Sequence, residues 1–247
     1  MSRHHRRPFR EHFFAPQPEP YFRWRGREVS RIEGFSDAVF AFAVTLLVVA
    51  LEVPHTFDEF MDVVRSFPPF IATFALLMMF WNGHYRFFRR YGLQDKFVVW
   101  VNYAILLVVL FSVYPLKYLF TLWLGGSGHY SARIETIAPY TQLSQLFTIF
   151  GIGWAAIWGL YAVLEWHALR HSRQPQLSPI EEILSIRTLR AALLCVLVGL
   201  FSILIARWHV GPPGLPGWSY GSLAVFSTFN GYWHGQRVRA LVNERRH

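Results

Sequence analysis

Six apolar runs, each about as long as a bilayer's hydrocarbon core is thick, divide this sequence. A helix rises 1.5 Å per residue, so roughly 20 apolar residues cross a core about 30 Å deep. The runs fall at 32–53, 68–88, 97–121, 141–166, 187–207 and 218–238. The third, FVVWVNYAILLVVLFSVYPLKYLF, is the clearest, with a kink expected at Pro115. The last is diluted by Gly221, Asn230, Gly231, His234 and Gly235. Charged residues are only 16% of the 247, against about 25% in a soluble domain. The expected fold is an all-α integral membrane protein with six transmembrane helices per subunit.

The charges fall between the runs. All but four of the 24 Lys and Arg residues lie in 1–31, 86–96, 170–190 and 237–247. The four are Arg65, Lys117, Arg133 and Arg207. Six crossings from an inner N-terminus put those basic segments on one side, as the positive-inside rule requires. The expectation is a multi-pass plasma-membrane protein with cytoplasmic termini. Residues 1–30 are a basic cytoplasmic arm without the apolar core of a signal peptide. Residues 31–240 are the six-helix domain, and 241–247 a cytoplasmic tail. Membrane lipid is the expected surrounding partner, and the basic arm can touch its anionic headgroups.

Several chemistries have no support in the sequence. There is one cysteine, Cys195, in an apolar run, so neither a disulfide framework nor a Cys-based zinc site is expected. Gly-rich phosphate loops, H-E-x-x-H, Gly-x-Ser-x-Gly and Thr-Val-Gly-Tyr-Gly are not found. No enzyme activity, cofactor or nucleic-acid partner is expected. His167 and His171 stand four residues apart and read as an interfacial cationic patch.

The first run, RIEGFSDAVFAFAVTLLVVALEVP, holds the functional candidates. Phe42, Thr45 and Val49 fall on one helical stripe, with Leu46 at its margin. In an assembly that turns this stripe toward a common axis, Phe42 and Val49 make apolar rings and Thr45 a ring of hydroxyls. Glu52 then makes an acidic ring at the outer mouth that concentrates cations. Spacing alone favours a plain packing helix with one satisfied threonine, the commoner origin of such stripes.

Asp37 lies about 120° around the helix from that stripe, toward protein. A carboxylate inside a membrane needs a partner, and the candidates are His84, Asn102, Arg31 and Ser36. Trp81 and His84 share a face of the second helix. A polar network at the inner ends of the first three helices follows, with structural adhesion the favoured role over direct chemistry.

The residues Arg31, Phe35, Ser36 and Asp37 form R-x-x-x-F-S-D at the start of the first helix. This resembles the signature of the transmembrane protein 175 family of potassium-permeable channels. The following A-V-F-A-F-A-V-T-L-L-V-V, the W-x-x-H at Trp81 to His84, Asn102 and Pro115 resemble further family landmarks. The likeness covers about the first half of the chain. It implies a homotetramer, because single-unit members of the family assemble as tetramers, with the first helix lining a central pore. It places the constriction on Phe42, with Leu46 and Val49 nearby, and potassium selectivity on Thr45. It also implies a structural network of Arg31, Ser36, Asp37, Trp81, His84 and Asn102. Potassium would pass near Thr45 transiently, with no metal tightly bound. The family's constriction is usually Leu or Ile, and Phe42 departs from that. The rival reading is a proton- or cation-coupled secondary transporter using Asp37 and His84, although no paired repeat or matched helix break is evident.

Overall fold

The computed structural model describes residues 22–26, 28–49, 54–124, 140–171, 177–212 and 214–244. All regular structure among them is helical: α1 Arg31–Val49, α2 Phe57–Arg65, α3 Phe67–Tyr91, α4 Lys96–Leu124, α5 Tyr140–His171, α6 Pro179–Trp208, α7 Leu215–Trp218 and α8 Ser222–Glu244, with a 3-10 turn at Ser219–Gly221.

Four of these helices are long and apolar enough to span a membrane: α1, α4, α5 and α6. The bent pair α2 and α3, meeting at 40°, makes a fifth candidate. The helix in the expected sixth run, α8, does not reach that level among the described residues, for its polar and glycine residues lower its hydropathy. The protein is therefore an all-helical, multi-pass membrane protein with four or five candidate spans.

The helices end where local chemistry dictates. Pro68 and Pro69 open α3, where missing amide donors cost least. Gly92 closes it in the left-handed region, φ 61°, and its amide returns to the Phe88 carbonyl. The Asp95 carboxylate then accepts the Val98 amide at 2.9 Å and so starts α4. The sixth helix begins two turns before the sequence expectation. Ser178 and Glu181 form a capping box ahead of it, with Pro179 in its first turn. Between α1 and α3 lies the amphipathic helix α2, capped by Thr56, where the sequence suggested only loop. At the far end, α8 runs to Glu244, so the expected tail from 241 begins as helix.

Packing runs in order across the bundle. The first helix rests on α3 and α4, α4 rests on α5, and α5 makes the broadest contact in the fold, with α6; α7 and α8 close the far side on α6. The α5–α6 crossing is close because glycines face each other there. A Cβ on Gly151 would lie 3.2 Å from the Gly199 carbonyl oxygen, and one on Gly199 3.0 Å from Trp154 Cδ1. Small residues let helix backbones approach where no hydrophobic effect drives association in lipid. The Trp154 indole donates to the Cys195 carbonyl at 3.0 Å across the same seam. Replacing Gly199 by Val is expected to cost about 1–3 kcal/mol by overpacking. Thermal unfolding in detergent measures this, and an unchanged midpoint would remove the crossing from the stability account.

Candidate functional site

The first helix has two distinct faces. Glu33, Ser36, Phe40, Ala43 and Leu47 are buried, at alternating spacings of three and four, which is the seam of a helix packed on one side. Phe42, Thr45 and Val49 are on the other side. Phe42 is 55% exposed and Val49 70%, and Thr45 is exposed with its hydroxyl donating to the Ala41 carbonyl at 3.0 Å. Leu46 lies at the margin, half-buried against the core. Glu52 falls outside the described residues.

The buried face carries an ordered polar chain. The Ser36 hydroxyl donates to the Ile32 carbonyl at 2.8 Å, and the Asn102 amide donates to Ser36 Oγ at 2.9 Å. Asn102 Oδ1 faces His84 Nε2 at 2.8 Å. An acceptor at that position requires a proton on Nε2. All three bonds then point one way, from α3 through α4 to the α1 backbone. His84 is fully buried and lies against the rings of Phe40 and Phe88.

Asp37 takes a separate partner. Its carboxylate accepts the Trp81 indole N–H at 2.7 Å, one helical turn from His84. Asp37 and His84 therefore each have their own hydrogen bond and do not share one. The structure thus brings Ser36, Asn102 and His84 into one chain, and Asp37 and Trp81 into a neighbouring pair. It does not bring Arg31 in. Arg31 is exposed, because two residues along a helix turn it well away from buried Glu33. The arginine that reaches the buried face is Arg89, whose Nε stands 3.2 Å from Glu33 Oε1.

Other polar contacts were not foreseen from the sequence. Tyr91 donates to Glu165 Oε2 at 2.7 Å and lies 2.7 Å from Ser185 Oγ, tying α3, α5 and α6. Arg90, buried, donates to Thr188 at 2.8 Å. His167 is stacked on His171 and paired with Asp95 at 2.8 Å, so it joins the α3–α4 turn to α5 in addition to flanking that helix end. Burial alone would raise the Asp95 carboxyl, but hydrogen bonds from the Val98 amide and His167 outweigh it and hold the group below the usual carboxylate range. Nothing in the linear spacing of these residues signals a pair, since their partners are more than 70 positions away.

Fold and site together define a multi-pass helical membrane protein whose first helix is polar-anchored on one face and uncovered on the other. Comparison with known proteins gives the family. The family model for the endosomal/lysosomal potassium channel TMEM175 matches residues 31–113. A potassium channel of Marivirga tractuosa is 35% identical over 192 residues, covering 75% of this chain and 78% of the relative. A crystal structure of a variant of the potassium channel MtTMEM175, in complex with a nanobody–MBP fusion, superposes with a TM-score of 0.69 at 30% identity, covering 92% of this chain and 98% of that one. A homologue, from Chamaesiphon minutus, of the lysosomal potassium-selective channel TMEM175 shares the fold, with a TM-score of 0.55 at 22% identity, covering 83% of this chain and 96% of that one. The chain belongs to the TMEM175 family, and the relatives named here are potassium channels.

The polar chain gives a direct test. Asn102→Leu leaves the His84 Nε2–H without its acceptor and Ser36 without its donor. An orphaned buried donor costs about 1–3 kcal/mol, so thermal stability in detergent should fall accordingly. A variant as stable as the parent would show that the chain does not hold α1.

Proposed function

We propose that four copies of this chain form a potassium-permeable channel, with α1 from each lining a central pore. Conduction is passive, down the electrochemical gradient. The observation that carries this reading is the exposure of Phe42, Thr45 and Val49 on a helix whose opposite face is fully committed to α3 and α4. Membership of a family whose relatives are potassium channels supports potassium conduction. In the proposed channel the chain crosses the plasma membrane six times, with α8 as the last crossing and both termini in the cytoplasm. A crossing by α8, too weakly apolar by composition, would rely on protein neighbours as well as lipid.

The roles follow from side-chain chemistry. Phe42 rings form the constriction, flanked by Val49, with half-buried Leu46 supporting them from behind. Thr45 hydroxyls replace part of a potassium ion's hydration shell, and the ion stays only transiently. Glu52 supplies an acidic ring at the outer mouth. The buried chain through Ser36, Asn102 and His84, with the Asp37–Trp81 pair beside it, orients α1 without touching the ion.

Recording from purified protein in a planar bilayer under a potassium–sodium gradient tests the class, and a bilayer that stays silent with correctly assembled protein would end the reading. Phe42→Ala should raise unitary current by widening the constriction. Thr45→Val should move the reversal potential toward that of a pore that does not discriminate potassium from sodium. An unaltered current in the first variant, or an unshifted reversal in the second, removes that residue from its assigned role.

A further inference from the structure

The segment before α1 is held down. Residues 22–26 cross the ends of α3 and α6 and lead, a few residues later, into the first turn of α1. The amides of Arg25 and Gly26 both donate to the Arg89 carbonyl, at 3.0 and 3.1 Å. Arg89 Nη1 returns a bond to the Gly26 carbonyl at 3.1 Å. Phe22 is 3% exposed, edge-on to Tyr91, with the Arg90 guanidinium 4.9 Å from its ring centre.

Two carboxylates act here: Glu181 clasps the segment to α6, and Glu33 joins α1 to Arg89, the residue the segment bonds. Glu181 Oε1 accepts the Arg23 amide at 2.8 Å and Arg25 Nη1 at 3.2 Å. Its Oε2 accepts Arg25 Nη2 at 2.9 Å and the Ser178 amide at 2.8 Å. Glu181 thus caps α6 and holds the segment through a two-point guanidinium pair, a geometry that fixes orientation as well as charge. Glu33, in α1, faces Arg89 at 3.2 Å. A third link runs through rings: Trp24 is edge-on to Tyr85, which stacks on Trp81, the donor to Asp37 in α1.

Steric fit is tight along this path. A Cβ on Gly26 would stand 2.5 Å from the Phe88 carbonyl oxygen, and one on Gly92 3.2 Å from the Gly26 nitrogen. Only glycine allows the segment to lie this close to the end of α3.

We infer that residues 22–26 are a strap that sets the position of α1, making Arg25 and Glu181, with Arg89 and Glu33, positioning residues for the channel. This rests on the reading of α1 as the pore lining. Because α1 packs through one face only, against α3 and α4, its tilt at the N-terminal end depends on what holds that end. A docked strap holds it in the conducting position, and a released strap lets the rings of Phe42 and Thr45 lose register.

The test uses the full chain, purified and reconstituted. Glu181→Gln and Arg25→Gln each break the two-point pair, and Arg25→Lys keeps the charge without the fork. Release is read by trypsin: cleavage at Arg23, and at Arg25 where it remains, should speed up while size-exclusion elution stays unchanged. Function is read by single-channel recording. In the Gln variants open probability should fall about tenfold, a shift of about 1.4 kcal/mol, with unitary conductance and reversal potential as in the parent. The Lys variant should fall less, and it serves should the Gln variants misfold. Faster cleavage with unchanged open probability would overturn the positioning role, and unchanged cleavage would overturn the clasp. These outcomes differ from failure of the pore reading, in which the unmodified protein itself carries no potassium current.

Discussion

The hydrogen-bond chain from His84 through Asn102 to Ser36 and the Ile32 carbonyl decides how α1 sits. In a hydrocarbon surrounding, apolar side chains gain nothing by choosing a helix over lipid, so packing alone holds a helix weakly in rotation. A buried donor with one acceptor in reach does choose, because the alternative is an unpaired group in a low-dielectric interior. Two such bonds in series, His84 to Asn102 and Asn102 to Ser36, run from α3 through α4 to α1, and the second accepts one rotation of that helix. That rotation places Phe40, Ala43 and Leu47 inward, and Phe42, Thr45 and Val49 outward.

The division of α1 into two faces lets one short helix serve two demands. Its inner stripe above Ser36 is apolar, Phe40, Ala43 and Leu47, and packs on α3 and α4. Its outer stripe needs no partner within the subunit. A threonine there keeps its hydroxyl satisfied by the Ala41 carbonyl, so its exposure costs no backbone or side-chain bond. The same hydroxyl oxygen keeps acceptor capacity for another group. A soluble protein could hardly leave Phe42 and Val49 in water at such exposure without aggregation, whereas a membrane assembly can cover them with lipid or a neighbouring copy.

Much of this was legible in the sequence because apolar length and helical spacing are local properties. Five of the six runs coincide with helical segments that meet span criteria singly or as a bent pair. The outward stripe and the polar positions Ser36, Asp37, Trp81, His84 and Asn102 follow from residue type and spacing. Partner choice was not legible. Asp37 bonds Trp81 and not His84, and Arg89 takes the place expected of Arg31, because those choices depend on how far each helix is rotated against its neighbour. The early start of α6 was available in the S-x-x-E of Ser178 and Glu181. It was obscured because charges at Glu181, Glu182, Arg187 and Arg190 resemble a loop when apolar length is the guide.

Those charges explain why the chain can afford ionic groups beside a membrane core. Arg25, Arg89 and Arg90 belong to the basic clusters that weigh on insertion, yet in the folded chain they are half-buried or buried on Glu181, Glu33 and Thr188. Insertion counts charge while segments are still separate, and folding then finds partners for the same residues. One set of arginines can therefore first bias orientation and afterwards join α1, α3 and α6 at the end where α1 begins. Replacing such a pair member by an apolar residue would disturb both steps, whereas a neutral polar residue would chiefly disturb the second.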